Sequence, residues 1–165
     1  MDWAVFLEKG LWFGIAAVGF AVLFNVPGRT LIAIFIMGAL GGLIKTGMLL
    51  LNVNVIMATF AGATFIGFLS IAFAHSKHSP PPVFAIPAVI PMVPGIFAYR
   101  MMLGLITLAV KTNIPAYIPV LIETVSNGLK VMLILISLAG GVMVPMLLTR
   151  KDSAKEIRLR KPKAF

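Results

Sequence analysis

Residues 53–74 read VNVIMATFAGATFIGFLSIAFA and contain no charged side chain over 22 positions. A transmembrane helix needs about 20 predominantly apolar residues to cross the hydrocarbon core of a bilayer, so this stretch predicts a membrane-spanning helix. The composition agrees, because 60% of the 165 residues are hydrophobic and only 12% are charged. Soluble domains average about 25% charged residues, and a lone soluble domain is therefore excluded.

Four further apolar segments predict an all-α integral membrane protein with about five spans. We place the spans at about residues 3–24, 30–50, 53–74, 83–110 and 127–148, within one transmembrane domain over residues 1–149. Residues 116–126, which contain Pro119 and Glu123, are interpreted as a separate segment before the last span. A four-span arrangement stays open, in which one of the weaker segments lies flat on the membrane.

The basic residues predict the orientation of the chain. Residues 150–165 contain seven Lys and Arg against two acidic residues, and this net +5 is more than half of the formal +9 of the chain. Cytoplasmic segments of membrane proteins are enriched in Lys and Arg. We therefore expect a cytoplasmic tail that contacts anionic lipids, an N-terminus outside, and no nucleic-acid partner.

Several function classes find no support in the sequence. The chain has no cysteine, which excludes disulfides and thiolate chemistry. His75 and His78 lie three positions apart without a nearby third ligand, and a metal site needs more than two ligands. No nucleotide-binding motif occurs. We therefore expect no enzymatic activity, no cofactor and no metal.

The fourth segment contains the sequence AIPAVIPMVPG at residues 85–95. Each of Pro87, Pro91 and Pro94 removes a backbone donor and clashes with the preceding turn, so with Gly95 they predict a broken helix. Broken helices persist at membrane depth where they line a cavity, and the half-helix after a break can attract an anion. A substrate pathway is therefore predicted here. The alternative is a kinked helix that binds no solute.

Four charged residues fall inside the predicted spans, where a charge costs about 2.5 to 3.5 kcal/mol. Lys45 and Lys130 are predicted to form a basic funnel toward the outer side of the membrane. The alternative is that their side chains only extend to the membrane interface. Arg100 and Glu123 are candidates for the substrate pathway. Glu123 is predicted to pair with Lys130 or Arg100, or to carry a coupling proton.

Small residues recur at a spacing of four, which lets membrane helices approach closely. They serve either internal packing or a homo-oligomer interface. The pairs are Gly38 and Gly42, Ala58 and Gly62, Ala63 and Gly67, and Ser137 and Gly141.

Two stretches, AVGFAVLFNVP at residues 17–27 and VFAIPAVIPMVPG at residues 83–95, followed by Tyr99, resemble the small membrane subunit of threonine/serine-exporter-type transporters. The resemblance implies a larger partner subunit in the bacterial inner membrane. It also implies export of succinate, as in the split form of the family, or of threonine and serine, as in the fused form. The positions that match the family pattern are Asn25, Pro27, Pro91, Pro94, Gly95 and Asn127. Of these, Asn25 and Asn127 are predicted to belong to the substrate pathway together with the residues of the break.

The sequence thus predicts one subunit of a secondary exporter for small carboxylates or hydroxy amino acids, working with its partner by alternating access. Two alternatives stay open. The chain is either an accessory scaffold whose partner holds the whole solute site, or a small oligomeric pore.

Overall fold

The computed structural model describes residues 3–77, 79–110 and 117–149. They form six α-helices, with 3-10 turns at Gly28–Thr30 and Ile90–Met92. His78 and the predicted basic tail at residues 150–165 lie outside the described residues. The helices are α1 (Trp3–Leu23), α2 (Leu31–Leu50), α3 (Val55–Lys77), α4 (Pro81–Val89), α5 (Gly95–Val110) and α6 (Tyr117–Leu148).

The prediction of a helical membrane protein is confirmed. In the described part of the chain, four helical segments are long and apolar enough to cross a bilayer alone: α1, Gly28–Leu50, α3 and α6. Pro81–Met92 and α5 form a bent pair that makes a fifth span if it crosses as one unit. The range of four to five spans matches the sequence prediction.

The bundle is built around α2 and α3. Helix α2 packs against α1, α3 and α4, while α3 also contacts α4 and α6. The largest fully buried side chains include Ile34, Met37, Ile66 and Phe84. Helix α5 stands apart from this core, because it packs mainly against α6 and none of its residues is buried.

The predicted small-residue pairs lie between helices of the same chain. A Cβ on Gly38 would stand 2.6 Å from Ala17 Cβ in α1, and one on Gly67 would stand 3.0 Å from the Val142 carbonyl in α6. A Cβ on Gly62 would stand 2.8 Å from the Gly41 carbonyl in α2. Internal packing therefore uses these positions, as in membrane bundles held by close backbone approach.

Helix α6 differs from the predicted boundaries. It runs without interruption for 32 residues, from Tyr117 to Leu148, although the sequence placed a separate segment ahead of Asn127. Pro119 does not break it, because the first four N–H groups of a helix have no intrahelical acceptor. At 1.5 Å per residue the helix is about 48 Å long, which exceeds the hydrocarbon core of about 30 Å.

Two asparagines end α1 and α2 in the same way. Asn25 has φ 54° and Asn52 has φ 59°, both in the left-handed region. After α1, the Val26 N–H donates to Ala21 O and the Asn25 N–H donates to Val22 O, each at 3.0 Å. This bonding pattern is a Schellman motif, in which glycine or asparagine holds the left-handed position.

Replacing Asn25 with alanine should lower the free energy of unfolding by about 1 kcal/mol, because asparagine tolerates the left-handed conformation through local hydrogen bonds of its short polar side chain and alanine cannot form them. Replacing it with glycine should leave stability nearly unchanged. Thermal unfolding of both variants in one detergent tests this. Equal melting temperatures for the alanine and glycine variants would contradict the capping role.

Candidate functional site

The helix break predicted from the prolines lies between α4 and α5, which are bent by 58°. Pro87 remains inside α4, and α-helical bonding is replaced by a 3-10 turn at Ile90–Met92. There the Val93 N–H donates to Ile90 O at 3.0 Å, and the Gly95 N–H donates to Val93 O at 2.9 Å. The Ala98 N–H then donates to Pro94 O at 3.1 Å as α5 begins. The interruption is therefore confined to residues 93–94.

Lys45 of α2 lies at this break. Its Nζ donates a hydrogen bond of 2.8 Å to the carbonyl oxygen of Met92, whose side chain is fully buried. The last carbonyl before the break thus has a charged donor, and donors of that kind form stronger bonds than neutral ones. The sequence assigned Lys45 to an outer funnel, and the structure places its ammonium against the backbone of the broken helix.

A cavity of about 200 Å³ opens beside the break. Lys45, Pro94, Gly95, Phe97 and Ile134 are among the residues that line it. Gly95 is exposed, and a Cβ there would meet no heavy atom within 4 Å. The start of α5 therefore borders open space, and a Cβ at Gly95 would enter that space without contacting a neighbour.

Lys130 lies next to the same cavity, with its Nζ 5.4 Å from the centroid of the Phe97 ring. That distance falls within the range of a cation–π contact. Lys130 itself is exposed. Lys45 of α2 thus lines the cavity, and Lys130 of α6 contacts one of its lining residues, Phe97.

A second cavity, of about 250 Å³, lies between α5 and α6. It contains the two charged residues that the sequence singled out, Arg100 and Glu123. Within the described ranges, no nitrogen–oxygen contact of 4 Å or less joins Glu123 to Arg100 or Lys130, so the predicted ion pair is not formed. The full lining is Arg100, Leu103, Gly104, Thr107, Val120, Glu123 and Thr124.

Asn127 lies one helical turn beyond Glu123 on α6. Its side chain is only 4% exposed, and its Nδ2 has no hydrogen-bond partner among the residues that the structure describes. Buried amide donors are usually paired, because an unpaired one costs about 1 to 3 kcal/mol. Asn127 is thus a buried donor available to an acceptor.

The remaining predicted site residues fall into two places. Pro91 is half-buried and Pro94 is buried, and both belong to the break. Asn25 is exposed at the end of α1, where its neighbours Phe24 and Val26 line a cavity with the start of α4. The structure therefore does not bring Asn25 to the break or to Arg100 and Glu123.

The sequence reasoning missed the neutral members of the second cavity. Positions 100, 103, 104 and 107 on α5 share one helical face, and so do 120, 123 and 124 on α6, because residues three and four apart lie side by side on a helix. That spacing was the available signal. As for metals, the described ranges contain no group of three or more His, Asp or Glu that could hold an ion.

Comparison with known proteins identifies what the chain resembles. The family model described as Threonine/Serine exporter, ThrE, matches residues 9–148. A Haemophilus influenzae protein described as uncharacterized is 40% identical over 96 residues, which cover 58% of this chain and 32% of that protein. The matched part thus spans about a third of that relative's length. No solved structure matches the chain.

Proposed function

Since this chain belongs to the threonine/serine exporter family, we propose that it is one subunit of a secondary exporter for small carboxylates or hydroxy amino acids. Its family is one of transporters and not of enzymes, and its apolar helices make it a multi-pass membrane protein. The proposal places it in the bacterial cytoplasmic membrane, with the N-terminus outside and the basic tail in the cytoplasm, in line with the distribution of positive charge.

The observation that carries this proposal is the break between α4 and α5, where the Lys45 ammonium donates a hydrogen bond to the Met92 carbonyl. Secondary transporters place solute sites at interrupted helices, where free backbone groups and helix ends face the solute. Here the break adjoins a cavity, and a cation lies beside it. A carboxylate is the type of group that such a site attracts.

A larger partner subunit is part of the proposal. Transporter sites commonly form where two structural repeats meet, and four to five spans correspond to one such repeat. The matched segment is only about a third of the Haemophilus influenzae relative, which supports the view that this fold works beside further protein. The exposed α5 offers a surface for that contact. Alternating access would then open the break to one side of the membrane at a time.

The exposure of α5 also favours the scaffold function as a second candidate. In that case α5 would bind the partner, and the partner alone would hold the solute. Photocrosslinking of a labelled solute distinguishes the two functions, because a scaffold leaves this chain unlabelled.

Replacing Gly95 with leucine is expected to abolish export while the protein still inserts into the membrane. The leucine side chain would occupy the cavity at the break, where a Cβ has free space. Gly19→Leu is the matched control, because a Cβ at Gly19 also meets nothing within 4 Å and Gly19 lies in α1, away from the break.

The measurement is efflux from vesicles that contain this chain with and without the larger subunit. Dicarboxylates and hydroxy amino acids are loaded as separate solutes. Normal efflux from the Gly95→Leu vesicles would overturn the assignment of the break as the pathway. Efflux of no solute from the wild-type pair would overturn the proposed exporter function.

A further inference from the structure

We propose that the cavity between α5 and α6 binds a small zwitterion, with Arg100 holding its carboxylate and Glu123 holding its ammonium group. This inference rests on the proposed exporter function and names the solute class that the exporter selects. It concerns a cavity separate from the break, lined by different residues.

The first argument is the charge arrangement. Arg100 from α5 and Glu123 from α6 line one cavity of about 250 Å³, yet they make no direct contact of 4 Å or less in the described structure. Each charge on an apolar membrane helix is costly, at about 2.5 to 3.5 kcal/mol, and such residues normally pair. A solute with both charges would pair each of them at once.

The second argument is the supply of hydrogen-bond acceptors. The Thr107 hydroxyl donates to Leu103 O at 2.9 Å, and the Thr124 hydroxyl donates to Val120 O at 2.7 Å. A hydroxyl has one donor and two acceptor lone pairs, so both threonines retain only acceptor capacity. With Glu123 they give a lining rich in acceptors, which suits the three N–H donors of an ammonium group.

The same lining discriminates against a dicarboxylate. One of its carboxylates can bind Arg100, but the other would face Glu123 and the two threonine oxygens. Like charges placed together in this way are strongly disfavoured. The cavity, at about 250 Å³, is also smaller than the 300 to 1,000 Å³ typical of drug-sized ligands, which suits a small solute.

The third argument is the register of the two helices. Gly104 lies directly against Thr124, and a Cβ on Gly104 would overlap the Thr124 hydroxyl. This close approach holds α5 and α6 together beside the cavity that Arg100 and Glu123 line.

The test uses the full chain with its larger subunit, first purified in detergent. L-threonine is the zwitterionic probe and succinate is the dianionic probe. Because a ligand that binds the folded state stabilises it, threonine should raise the melting temperature of the wild-type complex more than succinate does. Glu123→Gln and Arg100→Gln should each abolish the threonine shift. Glu8→Gln, which changes an exposed glutamate of α1, is the matched control and should keep the shift.

Efflux from vesicles is the second readout. Glu123→Gln is expected to reduce threonine efflux at least about tenfold, the equivalent of 1.4 kcal/mol, and to raise the ratio of succinate to threonine efflux, since the repulsion from Glu123 is removed. The Arg100→Glu, Glu123→Arg double variant should recover part of the threonine shift, because a zwitterion can bind in the reverse orientation.

Two results would overturn the zwitterion site. One is a threonine shift and an efflux ratio that Glu123→Gln leaves unchanged; the other is no threonine shift in the wild-type complex. Failure of the exporter function gives a different result, since a complex that binds threonine without efflux of any solute would disprove transport while retaining the site.

Discussion

Replacing Gly141 with alanine is expected to lower the free energy of unfolding by about 2 kcal/mol, whereas the same change at the adjacent Gly140 is expected to be neutral or slightly stabilising. A Cβ on Gly141 would stand 2.7 Å from Ala63 Cβ, 2.9 Å from Phe60 O and 3.1 Å from Thr64 N. Two of these atoms belong to the α3 backbone and cannot rotate away. Overpacking of this kind costs about 1 to 3 kcal/mol.

Gly140 provides a control in the same helix. Its Cβ would meet only Phe60 Cε2, at 3.9 Å, and both substitutions have the same intrinsic helix-propensity gain of up to about 1 kcal/mol. Thermal unfolding of the two variants in one detergent, followed by circular dichroism, gives the comparison. Equal melting temperatures would show that α3 and α6 are not held by this contact.

Replacing Lys45 with methionine is expected to reduce export at least about tenfold while the protein still inserts. The change removes the only donor that the described structure gives to Met92 O. An unsatisfied buried carbonyl costs about 1 to 3 kcal/mol, and each 1.4 kcal/mol changes an equilibrium constant about tenfold. We expect the geometry of the break to depend on that bond, so the effect should fall on transport. Lys45→Arg keeps a charged donor and should retain part of the activity.

Lys9→Met is the matched control, since Lys9 is an exposed residue of α1. Efflux from vesicles is compared at equal amounts of inserted protein. If Lys45→Met and Lys9→Met export equally well, the hydrogen bond to Met92 is not required for transport.

The spans could be predicted because they depend on local properties of the sequence. The uncharged stretch that contains α3 is long enough to cross a bilayer, and the prolines of residues 85–95 predict a break. The exact position of the break could not be derived in this way. Pro87 lies inside α4, and the interruption at residues 93–94 is accompanied by a tertiary contact between Lys45 and Met92, 47 positions apart.

Helix α6 starts at Tyr117, ten residues before the predicted span at 127–148. The reason lies in the positions of Pro119 and Glu123. The sequence pattern predicts a separate segment, with Pro119 and Glu123, ahead of the last span. A proline in the first turn costs no hydrogen bond, and Glu123 lies on the side of α6 that borders the cavity shared with α5. The charged residues of that cavity could therefore be singled out from the sequence. The packing of α5 against α6 could be seen only in the three-dimensional structure.

The packing of α6 against α3 has a consequence for biosynthesis. Helix α6 is synthesised after α3, so the contacts of Gly67 and Ala63 with Pro145 and Gly141 form only once α6 has been made. Until then the small-residue face of α3 lacks its α6 partner, and we expect the incomplete chain to be more susceptible to membrane proteases. A chain cut before residue 134 should therefore be degraded faster than the complete one, as pulse-chase labelling would show.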